Sequence, residues 1–159
     1  VMITSHLVVA AAGFVCYVHF VTDRQWNVDA NIFMAFLTVM VGACLPDIDH
    51  PDSTVGKRVL WLSYPIRLVF GHRGITHSFI AVAAIGYLAY QFDSPYISWL
   101  ALGYLLHLVG DYLTDSGIPL LYPYTRRYRF LLVGKTNGAS EYLMVAFSLV
   151  AAIAFIEFY

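Results

Sequence analysis

Charge is what this chain has least of. Of its 159 residues only 12% are Asp, Glu, Lys or Arg, while 60% are hydrophobic, and the mean hydropathy is +0.69. A water-soluble domain is nearer a quarter charged, so a surface this poor in charge is built to face lipid. The formal net charge of -1 leaves no basic footprint for nucleic acid. Cysteine is nearly absent as well. Cys16 and Cys44 lie in apolar runs with no CxxC or paired spacing, which argues against a disulfide framework and a thiolate metal site and leaves two small buried hydrophobes. No cleavable signal peptide is expected: the first apolar run starts almost at once, has no basic segment before it, and carries His6. There is no internal repeat and no low-complexity tract, and the length suits one domain over residues 1–159.

Apolar helical stretches fill most of the chain. Five spanning or near-spanning segments fall at about residues 4–22, 30–46, 75–92, 96–115 and 140–159, each close to the roughly 20 residues that a bilayer core requires. The second and third are short and rely on tilt or a locally thin membrane. The expected fold is therefore all-α, a polytopic membrane helical bundle with four to five spanning helices. Between the second and third, KRVLWLSYPIRLVFG at 57–71 puts most of its apolar positions on one helical face, which predicts a helix lying on the membrane surface. Pro65 should kink or break it. The connection at 116–139, rich in Gly, Pro, Tyr and Arg, predicts a folded cap.

Lys and Arg set the orientation. With five spans, the first and third loops hold only Arg24, whereas the second holds Lys57, Arg58, Arg67 and Arg73 and the fourth holds Arg126, Arg127, Arg129 and Lys135. That bias places the second and fourth loops in the cytoplasm. His6, Asp47, Asp49, His72, His77, His107, Asp111 and Glu141 then all arrive at one membrane depth, on the cytoplasmic side. Segments scattered along the chain deliver their polar groups together, and ionisable groups at membrane depth are expensive unless they serve a functional interior.

The residue types point to a metal. Asp47-Ile48-Asp49 follows Pro46, which ends the second helix; in an extended turn alternate residues point the same way, so the carboxylates are placed to bridge two ions, or one ligates while the other acts as base. Alone, such a pair reads as a polar helix-terminating turn. His107 and Asp111 are spaced i, i+4 and share one helical face, with Asp115 a turn further on. A pair bonded only to each other is the plain alternative. His72 and His77 flank a glycine turn in HRGITHS, and Arg73 between them offers a planar fork suited to phosphate or carboxylate, or simply to a lipid headgroup. Thr76 and Ser78 could cap the helix, orient a ligand or contact substrate. His19, at the opposite face, reads as interfacial; His50 either supports a ligand of the cluster from behind or is solvated; Glu141 is a further ligand or an acidic helix start. The predicted ligands are thus His6, Asp47, Asp49, His72, His77, His107 and Asp111. This set suits zinc, with Mn2+ or Fe2+ as alternatives. Seven candidates exceed the three or four ligands of one catalytic zinc, which favours two ions.

At these residues the chain resembles a known family. LPDIDHP at 45–51, GHRGITHS at 71–78, LGYLLHLVGDYLTDSGIPLLYP at 102–123 and the early His6 are similar to the YdjM-like family of bacterial inner-membrane proteins, over nearly the whole chain. The resemblance implies metal-dependent hydrolysis, a link in some members to the SOS DNA-damage response, and a polar core made of the seven residues above. The ordering of His and Asp is also similar to that of zinc phospholipase C-type enzymes, a likeness of ligand chemistry only.

The leading expectation is a membrane-bound metal-dependent hydrolase of the bacterial inner membrane, its site near the cytoplasmic face, cutting a phospholipid or other lipid-linked phosphoester by metal-activated water. Asp49 and His77 are the candidate proton shuttles and Arg73 the phosphate holder. Rival expectations are a zinc amidase or esterase acting on lipids, a non-enzymatic metal transporter or sensor, and a structural or partner-binding membrane protein. Transport needs access from both faces, and these ligands gather at one.

Overall fold

The computed structural model describes residues 3–21, 30–71, 73–130 and 138–158. Six α-helices appear among them: α1 (Ile3–Val21), α2 (Ala30–Cys44), α3 (Leu60–Phe70), α4 (Phe79–Phe92), α5 (Pro95–Tyr112) and α6 (Ala139–Phe158). The protein is an all-α membrane helical bundle. Segments within α1, α2 with its following turn, and α6 are long and apolar enough to cross a membrane; α4, with 14 residues, is apolar but shorter.

The bundle is organised around α5, which packs on α1, α2 and α4, while α6 packs on α1. Ala10, Phe14 and Val18 of α1 interlock with Ala35, Val39 and Ala43 of α2, and Trp99, Leu102 and Leu106 of α5 close the layer. Small residues allow the approach of α5 to α2: a Cβ at Gly103 would overlap the Val39 carbonyl. Close backbone contact of this kind is how helices pack in lipid, where apolar burial alone gives little drive.

Four local expectations change. The helix α3 runs through Pro65 without a break. The carbonyl that loses its partner there belongs to Trp61, on a face exposed to solvent or headgroups. The third apolar segment does not begin as α-helix at 75: Ile75–His77 is a separate 3-10 turn, and extended Ser78 separates it from α4. The fourth segment ends at Tyr112, before Asp115, because both the N–H and the hydroxyl of Thr114 donate to the Asp111 carbonyl, at 3.1 and 2.7 Å. Finally, Pro46–Asp49 is a 3-10 turn and not an extended one, so its two carboxylates diverge.

The connection after α5 folds back over the helix ends. Ile118 and Tyr128 exchange backbone hydrogen bonds at 3.0 and 2.9 Å, Phe130 N–H donates to the Tyr112 carbonyl at 3.1 Å, and Phe79 N–H donates to the Leu120 carbonyl at 3.0 Å.

Candidate metal centre

Four pieces of chain bring their polar groups to one point beside the end of α5. His6 comes from α1, Asp47 and Asp49 from the 46–49 turn, Arg73, Thr76 and His77 from the turns before α4, and His107 and Asp111 from α5. His6, Asp49, His77, His107 and Asp111 are each at most 1% exposed.

His107 is the fulcrum. Its Nδ1 lies 2.7 Å from the Ala43 carbonyl, one of the last four of α2 and so without an intrahelical partner. The carbonyl can only accept, so Nδ1 carries the proton and Nε2 turns a lone pair inward. That tautomer, fixed by a backbone carbonyl, is the one metal-binding histidines adopt. Gly103, four residues earlier on the same face, permits the helix approach that makes this bond possible. Nε2 has no hydrogen-bond partner and stands 3.8 Å from Asp47 Oδ1 and 3.8 Å from Asp111 Oδ2.

His6 stacks on His107, ring centroids 3.7 Å apart and planes within 9°. Its Nε2 lies 3.4 Å from Asp111 Oδ1, and its buried Nδ1 has no hydrogen-bond partner. Gly110 makes room for it, since a Cβ there would lie 2.9 Å from that Nδ1. Buried polar atoms left without partners are rare in proteins. Two such imidazole nitrogens, on residues clustered with the Asp47 and Asp111 carboxylates, fit a bound cation. Donor atoms of His6, His107 and Asp111 all lie within 4.8 Å of one another, and so do those of Asp47, His77 and His107. The two groups share His107.

Asp49 stands apart from both groups. Its Oδ2 accepts from the Thr76 hydroxyl and from Arg73 N–H at 3.0 Å, and lies 3.4 Å from His77 Nδ1. Arg73 takes a left-handed backbone conformation (φ 56°), unusual for a residue with a side chain, and the bond to Asp49 helps hold it there. The opposite nitrogen of His77, Nε2, is 3.4 Å from Asp111 Oδ2. Arg73 extends past this array: Nη2 is 3.2 Å from Asp111 Oδ1 and Oδ2, and Nη1 donates to Ser116 Oγ at 2.6 Å.

Of the seven predicted ligands, His6, Asp47, His77, His107 and Asp111 stand in the two donor groups, Asp49 lies behind His77, and His72 lies outside the described residues. His50 accepts from Asp52 N–H at 3.2 Å and is partly exposed. His19 is buried, its ring 5.9 Å from that of Phe155 on α6. Glu141 is buried in the first turn of α6, outside both groups. Sequence reasoning missed Tyr104, whose hydroxyl donates to the Thr76 carbonyl at 2.5 Å and braces the turn bearing His77. Its place three residues before His107, on the same helical face, was the available signal. Ser116 and the Ala43 carbonyl gave none.

A membrane bundle with a buried His/Asp cluster able to hold a metal ion is the class that fold and site define. Within it, the chain belongs to the YdjM inner membrane protein family, which matches residues 1–159. It is 40% identical over 111 residues to inner membrane protein YdjM of Escherichia coli (strain K12), a match covering 64% of this chain and 57% of that protein; the Shigella flexneri protein of the same name gives the same figures. Uncharacterized protein YvsG of Bacillus subtilis (strain 168) is 38% identical over 108 residues, covering 67% of this chain and 68% of that protein. The matched region thus spans little more than half the length of the first two relatives. No solved structure gives a significant match. The relatives' name and the three apolar helices support an inner-membrane location.

Proposed function

We propose that this chain is a metal-dependent hydrolase of the bacterial inner membrane acting on a lipid-linked substrate, with a phosphoester as the bond cut. The observation that carries the reading is His107: pinned through Nδ1 to the Ala43 carbonyl, it aims an unpartnered, fully buried Nε2 at the meeting point of two donor groups. His6, His107 and Asp111 would hold zinc, or Mn2+ or Fe2+ in its place; His107 has one free lone pair and serves one ion, so a second ion would rest on Asp47 and His77. A metal bound there supplies Lewis-acid polarisation of the scissile group and an acidified water.

The residues around that position divide the remaining work. His77 faces Asp111 with Nε2 and Asp49 with Nδ1. With a single ion on His6, His107 and Asp111, His77 is free to take a proton at Nε2, the resulting imidazolium being stabilised by the Asp49 carboxylate, and to return it to the leaving group. Thr76 and Tyr104 hold the turn that carries His77. Arg73 leans on Asp111 with one guanidinium nitrogen and borders an open cavity, where a permanent cation favours an anionic headgroup. The Lys and Arg distribution supports a multi-pass arrangement with this site near the cytoplasmic face, within reach of the inner leaflet. Single cysteines at 52–58 and 126–130 should then label from the cytoplasmic side; labelling from outside reverses the orientation.

The direct test takes the purified full chain, loads it with zinc, and offers phospholipids, polyprenyl phosphates, and ester and amide lipids, with and without chelator. Chelator-sensitive release of a phosphorylated product supports the proposal. Cleavage confined to ester or amide lipids moves the assignment to an esterase or amidase. Stable metal binding with no turnover of any lipid leaves a metal-binding membrane protein without hydrolase activity.

A further inference from the structure

Two cavities flank one short stretch of backbone beside this centre, one bordered by two arginines and the other without any charged residue. The first, about 180 Å³, is bordered by Arg73 and Arg127 with Phe70, Gly74, Pro119, Tyr122 and Thr125, and no carboxylate lines it. Arg127 donates to the Ser116 carbonyl at 3.5 Å and meets no carboxylate among the described residues. The second, about 290 Å³, is lined by Phe79, Leu105, Leu108, Val109, Tyr112 and Leu120. Phe79, Leu105 and Val109 are 37–48% exposed there, on the outer faces of α4 and α5, so this cleft opens sideways toward lipid.

Adjacent residues divide the two: Pro119 borders the first and Leu120 the second. The divider is fixed, because Ile118 pairs with Tyr128 on one side and the Leu120 carbonyl accepts from Phe79 N–H at 3.0 Å on the other. The same chain segment supplies Arg73 and Gly74 to one cavity and Phe79 to the other. A ligand that straddles Pro119 and Leu120 therefore meets Arg127 and the Asp111-paired Arg73 at one end and an apolar cleft open to lipid at the other.

From this juxtaposition we infer that the substrate of the proposed hydrolase is an anionic lipid with its phosphate between Arg73 and Arg127 and the start of one hydrocarbon chain in the cleft of Phe79, Leu105, Val109 and Leu120. The inference rests on the hydrolase reading for the word substrate, and on the two cavities alone for the lipid and its pose. Arg73 spans from Asp111 to the polar cavity, so a phosphate held there lies next to the metal-binding array. Chain entry through the open cleft would let the lipid arrive from within its own leaflet.

Binding tests this without turnover. The full chain is metal-loaded in phosphatidylcholine nanodiscs and titrated with fluorescent phosphatidic acid, with inorganic phosphate measured separately as competitor against it. Arg127 touches neither donor group, so Arg127→Glu should keep its metal by elemental analysis while weakening phosphatidic acid about tenfold or more, as loss of a charge partner does. Val109→Trp fills the cleft from a lipid-facing position and should weaken phosphatidic acid by roughly tenfold, the worth of about two excluded methylenes, without changing competition by inorganic phosphate. Leu105→Trp serves the same purpose should Val109→Trp not fold. The inference is overturned if the cleft variants leave phosphatidic acid affinity within twofold of the parent, in which case the pocket takes free phosphate or the chain lies elsewhere. It is equally overturned if Arg127→Glu changes nothing. Lipid bound with both dependences but never cleaved sinks the hydrolase reading and leaves this site standing; cleavage insensitive to all these variants does the reverse.

Discussion

Helices α5 and α6 are of similar length, 18 and 20 residues, and both are mostly apolar, yet they occupy opposite situations. Six residues of α5 are buried, among them His107 and Asp111. Only 11% of the membrane-length window of α6 is buried, and Phe147, Val150 and Ile153 point outward. In water, burial would follow apolarity. In lipid the rule inverts: the purely apolar helix can sit at the edge, and the helix interrupted by His, Asp and Gly must be central, because only the interior can satisfy those groups.

The largest expected effect is at the centre of α5. His107→Ala removes the one imidazole shared by both donor groups, and Asp111→Ala removes the carboxylate that meets His6, His77 and Arg73. Either should strip most of the metal and lower hydrolysis by about a thousandfold or more, a loss on the scale of the transition-state charge stabilisation that a metal supplies. Elemental analysis of the purified variants decides it. Full metal content in both would dissolve the distinction between the two helices as far as function goes.

Next comes the contact that sets the two helices' places. Gly103→Leu forces a side chain into the Val39 backbone and should cost about 1–3 kcal/mol, and it should also pull His107 off the Ala43 carbonyl. Ala146→Leu, the matching insertion on the exposed face of α6, should cost nothing measurable. Thermal unfolding in detergent, run on the pair, gives the contrast directly.

A smaller effect is expected one layer out from the donors. Asp49→Asn keeps the shape but weakens the partner of His77 Nδ1 and of Arg73 N–H. Residues in this supporting position typically change metal affinity or activity by about 10–100-fold when altered. Here turnover should fall with metal largely retained, since Asp49 belongs to neither donor group. Loss of metal equal to that in Asp111→Ala would make Asp49 a ligand.

Much of this layout was legible in the residues. The apolar runs gave the helices, and the charge bias together with the depth of His6, His77, His107 and Asp111 gave their convergence. The i, i+4 spacing of His107 and Asp111 was sufficient to place both on the inward face. What failed was local. Pro46 can begin a helical turn as readily as end one, since its fixed φ is helical and the missing N–H is not needed there. The DID segment therefore curled into a 3-10 turn, sending Asp47 toward His107 and Asp49 toward His77 instead of aligning them. The Ala43 carbonyl that orients His107 lies 64 residues away along the chain, and only packing of α2 on α5 reveals it.

The smallest expected effect belongs to α6. Phe147 is 75% exposed, a large apolar ring with few protein neighbours. If its surroundings are acyl chains, Phe147→Ala exchanges ring–lipid contacts for other lipid contacts and changes stability by only about 0.5 kcal/mol, the range of a neutral surface substitution. Metal content and turnover should not move at all, because no residue of the donor groups lies on α6. The measurement is the unfolding temperature in a lipid-containing micelle, set beside Ala146→Leu and Gly103→Leu. A drop as large as that of Gly103→Leu would mean that the outer face of α6 packs against protein, and the contrast between a central α5 and a lipid-bathed α6 would then hold only for a lone chain.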